Sequence, residues 1–293
     1  MIRLTSRMAA AAIAWACAFA WASPLGPDGA AGRSLPGKFI WFDLATEDPA
    51  GARAFYGTVF GWKFREVRES ASPYALIEHA GGKVGGLIWV KRPKGAVAGA
   101  RWLSLISVGD PARAARYVRE AGGKVLVEPD AVPGRGTHAV FRDPEGAVFG
   151  VLAAEQGDPS DAPVADGDVF WLDLFARDAA KAARFYAGLA GYEVSEPDRG
   201  AGIPRWILAT GGYARAGIAA LRSEATKPGW LPYILVDDVP GTVRRALQAG
   251  GRVVVMPRAD LLHGNVAIIA DPQGGVVGVV NWDAPATPQG GLQ

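Results

Sequence analysis

Residues 39–46 read FIWFDLAT, an apolar stretch interrupted by one carboxylate, and predict a strand on which Trp41 and Asp43 share a face because side chains alternate with period two. Asp48-Pro49 follows, a capping carboxylate and a proline suited to a first helical turn. Ala52, Phe55, Tyr56, Val59 and Phe60 then form one apolar stripe at helical spacing, and Gly61 supplies a residue that ends a helix in the left-handed conformation. Asp110-Pro111 and Gly122-Gly123 bracket a second helix in the same way, with Ala114, Tyr117, Val118 and Ala121 inward and a strand resuming at Val125–Val127. The pattern is strand, helix, three strands, written twice.

The whole arrangement then recurs. FIWFDLATEDPAGARAFYGTVFGW (39–62) matches VFWLDLFARDAAKAARFYAGLAGY (169–192) at an offset of 130, setting Trp41 against Trp171 and Asp43 against Asp173. Residues 101–130 match 229–258 at an offset of 128, as DPEGAVFG (143–150) matches DPQGGVVG (271–278). A period this long is a domain duplication, not a solenoid. The expected fold class is α+β, in which amphipathic helices cover one face of a mostly antiparallel sheet and leave the other free to curl into a cup.

Length and composition agree: 293 residues, 49% of them hydrophobic, suffice for two domain cores. The expected division is 1–22 a signal peptide, 23–36 a linker, 37–156 the first domain, 157–166 a linker, 167–284 the second domain and 285–293 a frayed tail. The signal reading rests on a basic start, an apolar run of about 13 residues and Ala20-Trp21-Ala22 ahead of Ser23. That run falls short of the roughly 20 residues needed to span a bilayer, so the mature chain is expected to be exported, periplasmic or extracellular, with no permanent membrane span. Lipidation at Cys17, the single cysteine, is the weaker reading because bulky Trp15 interrupts the small-residue stretch before it. Removing Arg3 and Arg7 takes the basic residues from 31 to 29, level with the 29 acidic ones, which points away from nucleic acid. A mature chain without cysteine has no disulfide, thiolate nucleophile or sulfur-ligated zinc.

The FY-bearing helix closed by Gly-Trp or Gly-Tyr, together with DPxG in each copy, resembles the vicinal oxygen chelate (VOC) superfamily, that of glyoxalase I, bleomycin-resistance proteins and extradiol dioxygenases. The resemblance covers 38–155 and 167–283. It implies two tandem VOC domains, each a pair of βαβββ modules forming a cup-shaped sheet with helices outside. In metal-using members it also implies one divalent ion held by His or Glu on the first and last strands. Here Trp41 and Trp171 stand seven residues before the helix-capping Asp, where the His belongs, and Gly150 and Gly278 stand seven after the Asp of DPxG, where the Glu belongs. The other module's first strand offers Leu103 and Ser104, or Leu231 and Pro232. Divalent ions need several N, O or S donors at once, so the expectation is metal-free cups with no cofactor.

The candidate ligand-binding residues are Trp41, Asp43, Trp89, His138, Trp171, Asp173, Trp206 and Tyr233, with no catalytic group assigned. Trp102 and Trp230, like Trp89 and Trp206, fall on predicted strands and are further candidates for an apolar cup. Filling a cavity is the plainer role for the first-strand tryptophans: burying about 200 Å² is worth on the order of 5 kcal/mol. Asp43 and Asp173 need partners, because a buried unpaired carboxylate is costly, and an arginine, backbone amides or a ligand would each serve. The shared face is either the cup floor or the seam between halves. His79, His138 and His263 are expected in loops or at the surface, although His138 alternates with Val140 and has a minor reading as an acid or base in the cup.

The functional expectation is an exported protein that binds a small apolar or aromatic molecule. The alternative is a metal-dependent lyase, isomerase or dioxygenase of the superfamily, and a third reading makes one or both copies structural. The oligomeric state is not legible.

Overall fold

Four aspartates start the four α-helices of the described residues. In the computed structural model, which describes residues 29, 32–67, 73–91, 99–196, 205–223 and 226–282, Asp48 and Asp178 each accept a backbone N–H three residues on, at 2.9 Å. Asp110 and Asp238 cap the other two in the same manner. The expected signal segment and tail lie outside the described residues.

The first domain runs β1 (Phe39–Thr46), α1 (Pro49–Phe60), β2 (Lys63–Val67), β3 (Tyr74–His79), β4 (Gly82–Trp89), then β5 (Arg101–Ser107), α2 (Pro111–Glu120), β6 (Lys124–Val132), β7 (Gly136–Arg142) and β8 (Val148–Ala154). The second repeats it: β9 (Val169–Ala176), α3 (Ala179–Ala190), β10 (Glu193–Ser195), β11 (Arg205–Thr210), β12 (Tyr213–Ala220), then β13 (Gly229–Leu235), α4 (Val239–Gln248), β14 (Arg252–Val255), β15 (Val266–Ala270) and β16 (Val276–Val280). Gly61 and Gly191 end α1 and α3 at φ 74° and 73°, where a Cβ would be strained.

Each domain is one eight-stranded sheet, ordered β2-β3-β4-β1-β5-β8-β7-β6 and β10-β11-β12-β9-β13-β16-β15-β14. The two modules of a domain join through antiparallel β1·β5 and β9·β13, so the first strands stand at the centre. Alternation gives each sheet two apolar faces. Phe42 and Leu44 turn toward the helices, while Trp41 and Asp43 turn to the opposite, concave side. The helices cover the convex faces and meet across the seam, α1 against α4 and α2 against α3, so the main cores are shared by both domains.

The duplicated signatures hold this seam. Asp143 Oδ1 accepts the N–H groups of Glu145, Gly146 and Ala147, and its Oδ2 accepts the Tyr186 hydroxyl of the other domain at 3.1 Å. Asp271 does the same locally and accepts Tyr56 at 3.0 Å. The indoles of Trp102 and Trp230 donate to Tyr56 and Tyr186 at 3.1 and 3.0 Å. Trp62 and Tyr192, which follow the helix-ending glycines, donate to Gly167 O and Gly37 O. The segment expected as a linker at 157–166 is pinned: buried Asp158 accepts from Leu35 N and Ser107 Oγ, and Asp161 pairs with Lys38 and Arg215.

Candidate functional site

The sheet register sets three residues side by side on each cup floor. Trp41 on β1 is the partner of Leu105 on β5, and Leu105 of Gly150 on β8. In the second domain the row is Trp171, Tyr233 and Gly278. Leu105 and Tyr233, not the Leu103/Ser104 and Leu231/Pro232 positions weighed from the sequence, therefore complete each row. The rows also explain the glycines. A Cβ on Gly278 would overlap the Tyr233 ring, and one on Gly150 would lie 2.7 Å from Leu105 Cγ. The space that a ligand carboxylate would occupy is taken by the neighbouring side chain.

These residues do not fit a divalent ion. Indole, leucine and glycine offer it no lone pair, the Tyr233 phenol is bonded to Asp173 and Arg205, each aspartate is paired with an arginine, and the described residues hold no group of three or more His, Cys, Asp or Glu that could hold a metal.

Two residues beyond each tryptophan stands the aspartate, and the structure settles its face as the cup floor. Asp43 accepts Trp41 Nε1 at 2.8 Å, Tyr74 Oη at 3.2 Å and Arg135 at 2.6 Å, with every partner buried. Asp173 accepts Trp171 Nε1 at 3.0 Å and Arg205 Nε on both oxygens, at 3.1 and 2.9 Å. Tyr233 also bonds to Asp173 and Arg205, and burial pushes its phenol well above the usual range. Gly86 and Gly217 stand beside Asp43 and Asp173 in register, and a side chain there would collide with Tyr74 and with the Asp173 carboxylate. A buried carboxylate with a bonded arginine is compensated, whereas the same carboxylate alone is not.

The cations reach these carboxylates by different routes. Arg135 comes from the β6–β7 hairpin, and its guanidinium also lies 5.6 Å from the Trp41 ring centre. Arg205 comes from β11, at the place Tyr74 holds on β3: Tyr74 pairs with Ile88 and Arg205 with Ala219. Neither arginine is legible as a partner in the sequence. The buried aspartate demanded a donor, and only the folded sheet identifies which.

The two cups differ in closure. In the first, Trp41 is 0% exposed among ten buried apolar residues, including Leu76, Val132 and Leu152. His138 is buried on this floor as well, which corrects the loop or surface expectation. Its Nδ1 has no hydrogen-bond partner among the described residues. Burial, then the Arg135 charge, lowers its pKa to about 4, so the imidazole is neutral at neutral pH. Among the described residues the second cup has three buried apolar members, Leu231, Tyr233 and Val280, with Phe170, Trp171, Phe175, Val266 and Ile268 half-buried around them. Trp282 is 47% exposed and rests 5.7 Å from Phe170.

Trp41, Asp43 and His138 thus meet in one cup, and Trp171, Asp173 and Tyr233 in the other. Trp89 and Trp206 do not join them. Trp89 donates to Glu47 O at the strand end, and Trp206 packs on the seam core with Trp102 and Trp230. Their strands are apolar on both faces, so sequence parity could not tell cup from seam. His79 pairs with Asp168 at 2.8 Å across the seam, and His263 is exposed.

Known proteins share this architecture. Residues 38–151 match the family model described as glyoxalase/bleomycin resistance protein/dioxygenase superfamily, and 170–280 match that of a glyoxalase-like domain. The anthracycline biosynthesis protein DnrV of Streptomyces peucetius is 31% identical over 262 residues, covering 85% of this chain and 94% of that protein. DauV of Streptomyces sp. strain C5, also an anthracycline biosynthesis protein, matches at the same identity and coverage. The Mn(II)-bound glyoxalase of Novosphingobium aromaticivorans aligns with a TM-score of 0.58 at 20% identity over 86% of each chain. The homoprotocatechuate 2,3-dioxygenase of Brevibacterium fuscum, in complex with 3,4-dihydroxyphenylacetate, aligns at 0.59 and 16% identity over 90% of this chain and 86% of that one. These last two establish a shared fold.

Proposed function

The chain belongs to the glyoxalase/bleomycin resistance protein/dioxygenase superfamily as two domains in tandem, and from that premise we propose that it is an exported protein whose second cup binds a small, mostly apolar or aromatic molecule without a metal. The observation that carries this is the Trp171–Tyr233–Gly278 row, which puts aromatic surface at the ligating positions of a cup where Phe170 and Trp171 are only half-buried and Trp282 is exposed. Half-exposed rings above a satisfied polar floor favour flat apolar molecules and orient them by one edge. The first cup has the same floor but fills its own volume with side chains, and serves as a scaffold.

Two further features support the reading. The 31% identical relatives are named for the biosynthesis of anthracyclines, compounds with a fused aromatic core. The basic, apolar and small-residue order of residues 1–22 is that of a cleaved secretory signal.

The test is a titration of the mature protein with anthraquinone-2-sulfonate, a soluble flat aromatic, in the presence of a chelator. Tryptophan fluorescence is expected to quench saturably with a single class of site, and Trp171→Ala to weaken binding by roughly tenfold, about 1.4 kcal/mol. Trp41→Phe is expected to leave the affinity unchanged. Binding that ignores Trp171, or that vanishes with the chelator, would overturn the proposal.

A further inference from the structure

The domains differ most in one hairpin. Lys124 pairs with Arg142 and Arg252 with Ala270, so the β6–β7 and β14–β15 connections contain the same number of residues between matching points of the sheet. In the first copy β6 continues through Val132 and the turn folds onto the cup, burying Val132 and Arg135. In the second, β14 stops at Val255 and residues 256–265 leave the ladder, with Met256 58% and Leu262 43% exposed. Leu262 and His263 both take positive φ, 44° and 54°, a region that residues with a Cβ seldom adopt. Beneath this segment Val266 and Ile268 are half-exposed, whereas their counterparts His138 and Val140 are buried.

The counter-ions account for the difference. Asp43 takes its cation from the hairpin, so that hairpin is held down by Arg135. Asp173 takes its cation from β11, toward the opposite edge of the sheet, and His263 stands in the hairpin at the place of Arg135. Among the described residues, Asp173 draws no ion pair from its hairpin. The exposed Met256 and Leu262 and the left-handed His263 are features that closure over a ligand would relieve, since His263 would take the place of Arg135, which is not left-handed.

We infer that residues 256–265 are a lid that closes over the occupied second cup in the conformation the first hairpin already holds, carrying Leu262 onto the ligand's flat face and His263 to its polar edge. This rests on the second cup being the binding site, and it narrows the ligand to an aromatic molecule bearing a hydroxyl or carbonyl oxygen. His263 is then a specificity-determining residue at the place where the first cup has Arg135.

Amide hydrogen exchange on the mature protein, with and without anthraquinone-2-sulfonate, reads the lid directly. Without the probe, 256–265 is expected to exchange at least roughly tenfold faster than 128–137, and saturating probe to close most of that gap. His263→Gly, which accepts positive φ without strain, is expected to keep the fold intact and weaken probe binding several-fold. Equal exchange of the two hairpins, or Trp171-dependent quenching with no added protection at 256–265, overturns the lid and leaves the binding site standing. Absence of any Trp171-dependent quenching overturns the binding reading and the lid together.

Discussion

The hydroxyl of Tyr56, on the first helix of one domain, donates to Asp271 Oδ2 in the last turn of the other at 3.0 Å. Tyr186 and Asp143 repeat the contact in reverse. Each aspartate therefore fastens its own DPxG turn through one oxygen and the partner domain through the other. Tyr56→Phe removes that second anchor and also leaves the Trp102 indole without the hydroxyl it donates to. It is expected to cost about 1–3 kcal/mol in urea denaturation, and Tyr186→Phe to cost the same within error. A large inequality between the two would show that the seam is not the two-fold arrangement described.

Arg135 and Arg205 serve equivalent aspartates but differ in exposure, with side chains 6% and 28% exposed. Arg135→Ala strands a buried carboxylate and is expected to destabilise the protein by about 3–5 kcal/mol. Arg205→Ala admits water to Asp173 and is expected to cost clearly less. Paired denaturation curves decide the order.

Gly278 lies against the Tyr233 ring, and Gly150 lies against the more pliant Leu105. Gly278→Ala is expected to destabilise by about 1–3 kcal/mol through overpacking, and Gly150→Ala by less. Tyr233→Ala combined with Gly278→Ala is expected to cost less than the sum of the two single changes, since the removed ring is what the new methyl would strike. Strict additivity would contradict the claim that the ring occupies the glycine's side of the row.

His138 gives the first cup a pH dependence. Its folded-state pKa of about 4 lies below the ordinary histidine value of 6.5, so the unfolded chain binds the proton more readily between those values. Stability is therefore complete above pH 6.5 and is lost as pH falls toward 4, by up to about 3 kcal/mol for this group. Burial raises the pKa of Asp143 and Asp271, which acts in the opposite direction. The informative quantity is the difference between wild type and His138→Gln: the variant is expected to lose less stability across that window. Parallel curves would mean that His138 does not titrate as described.

Much of the fold was legible because its signals are local. Asp-Pro at a helix start and a glycine at its end act through neighbouring backbone, and the structure has Asp48 and Gly61 in those roles. The repeat was visible because duplicated residues share duplicated contacts. The site was legible only in part. Asp43 and Asp173 announced a need for partners, but Arg135 comes from the β6–β7 turn of one cup and Arg205 from β11 of the other, and they share no sequence register. The face of Trp206 was hidden because its strand, RWILAT, carries apolar residues at both alternating positions. His138 was read as a surface residue because a neutral buried imidazole leaves no mark in composition.

The central claim is that side chains occupy the positions where a cation would be gripped. Incubating the mature protein with excess manganese, iron, nickel or zinc, desalting it, and measuring metal per chain by elemental mass spectrometry tests this most directly. The account predicts no stoichiometric retention of any of the four. One ion retained per domain, lost when Asp43 or Asp173 is replaced, would contradict it.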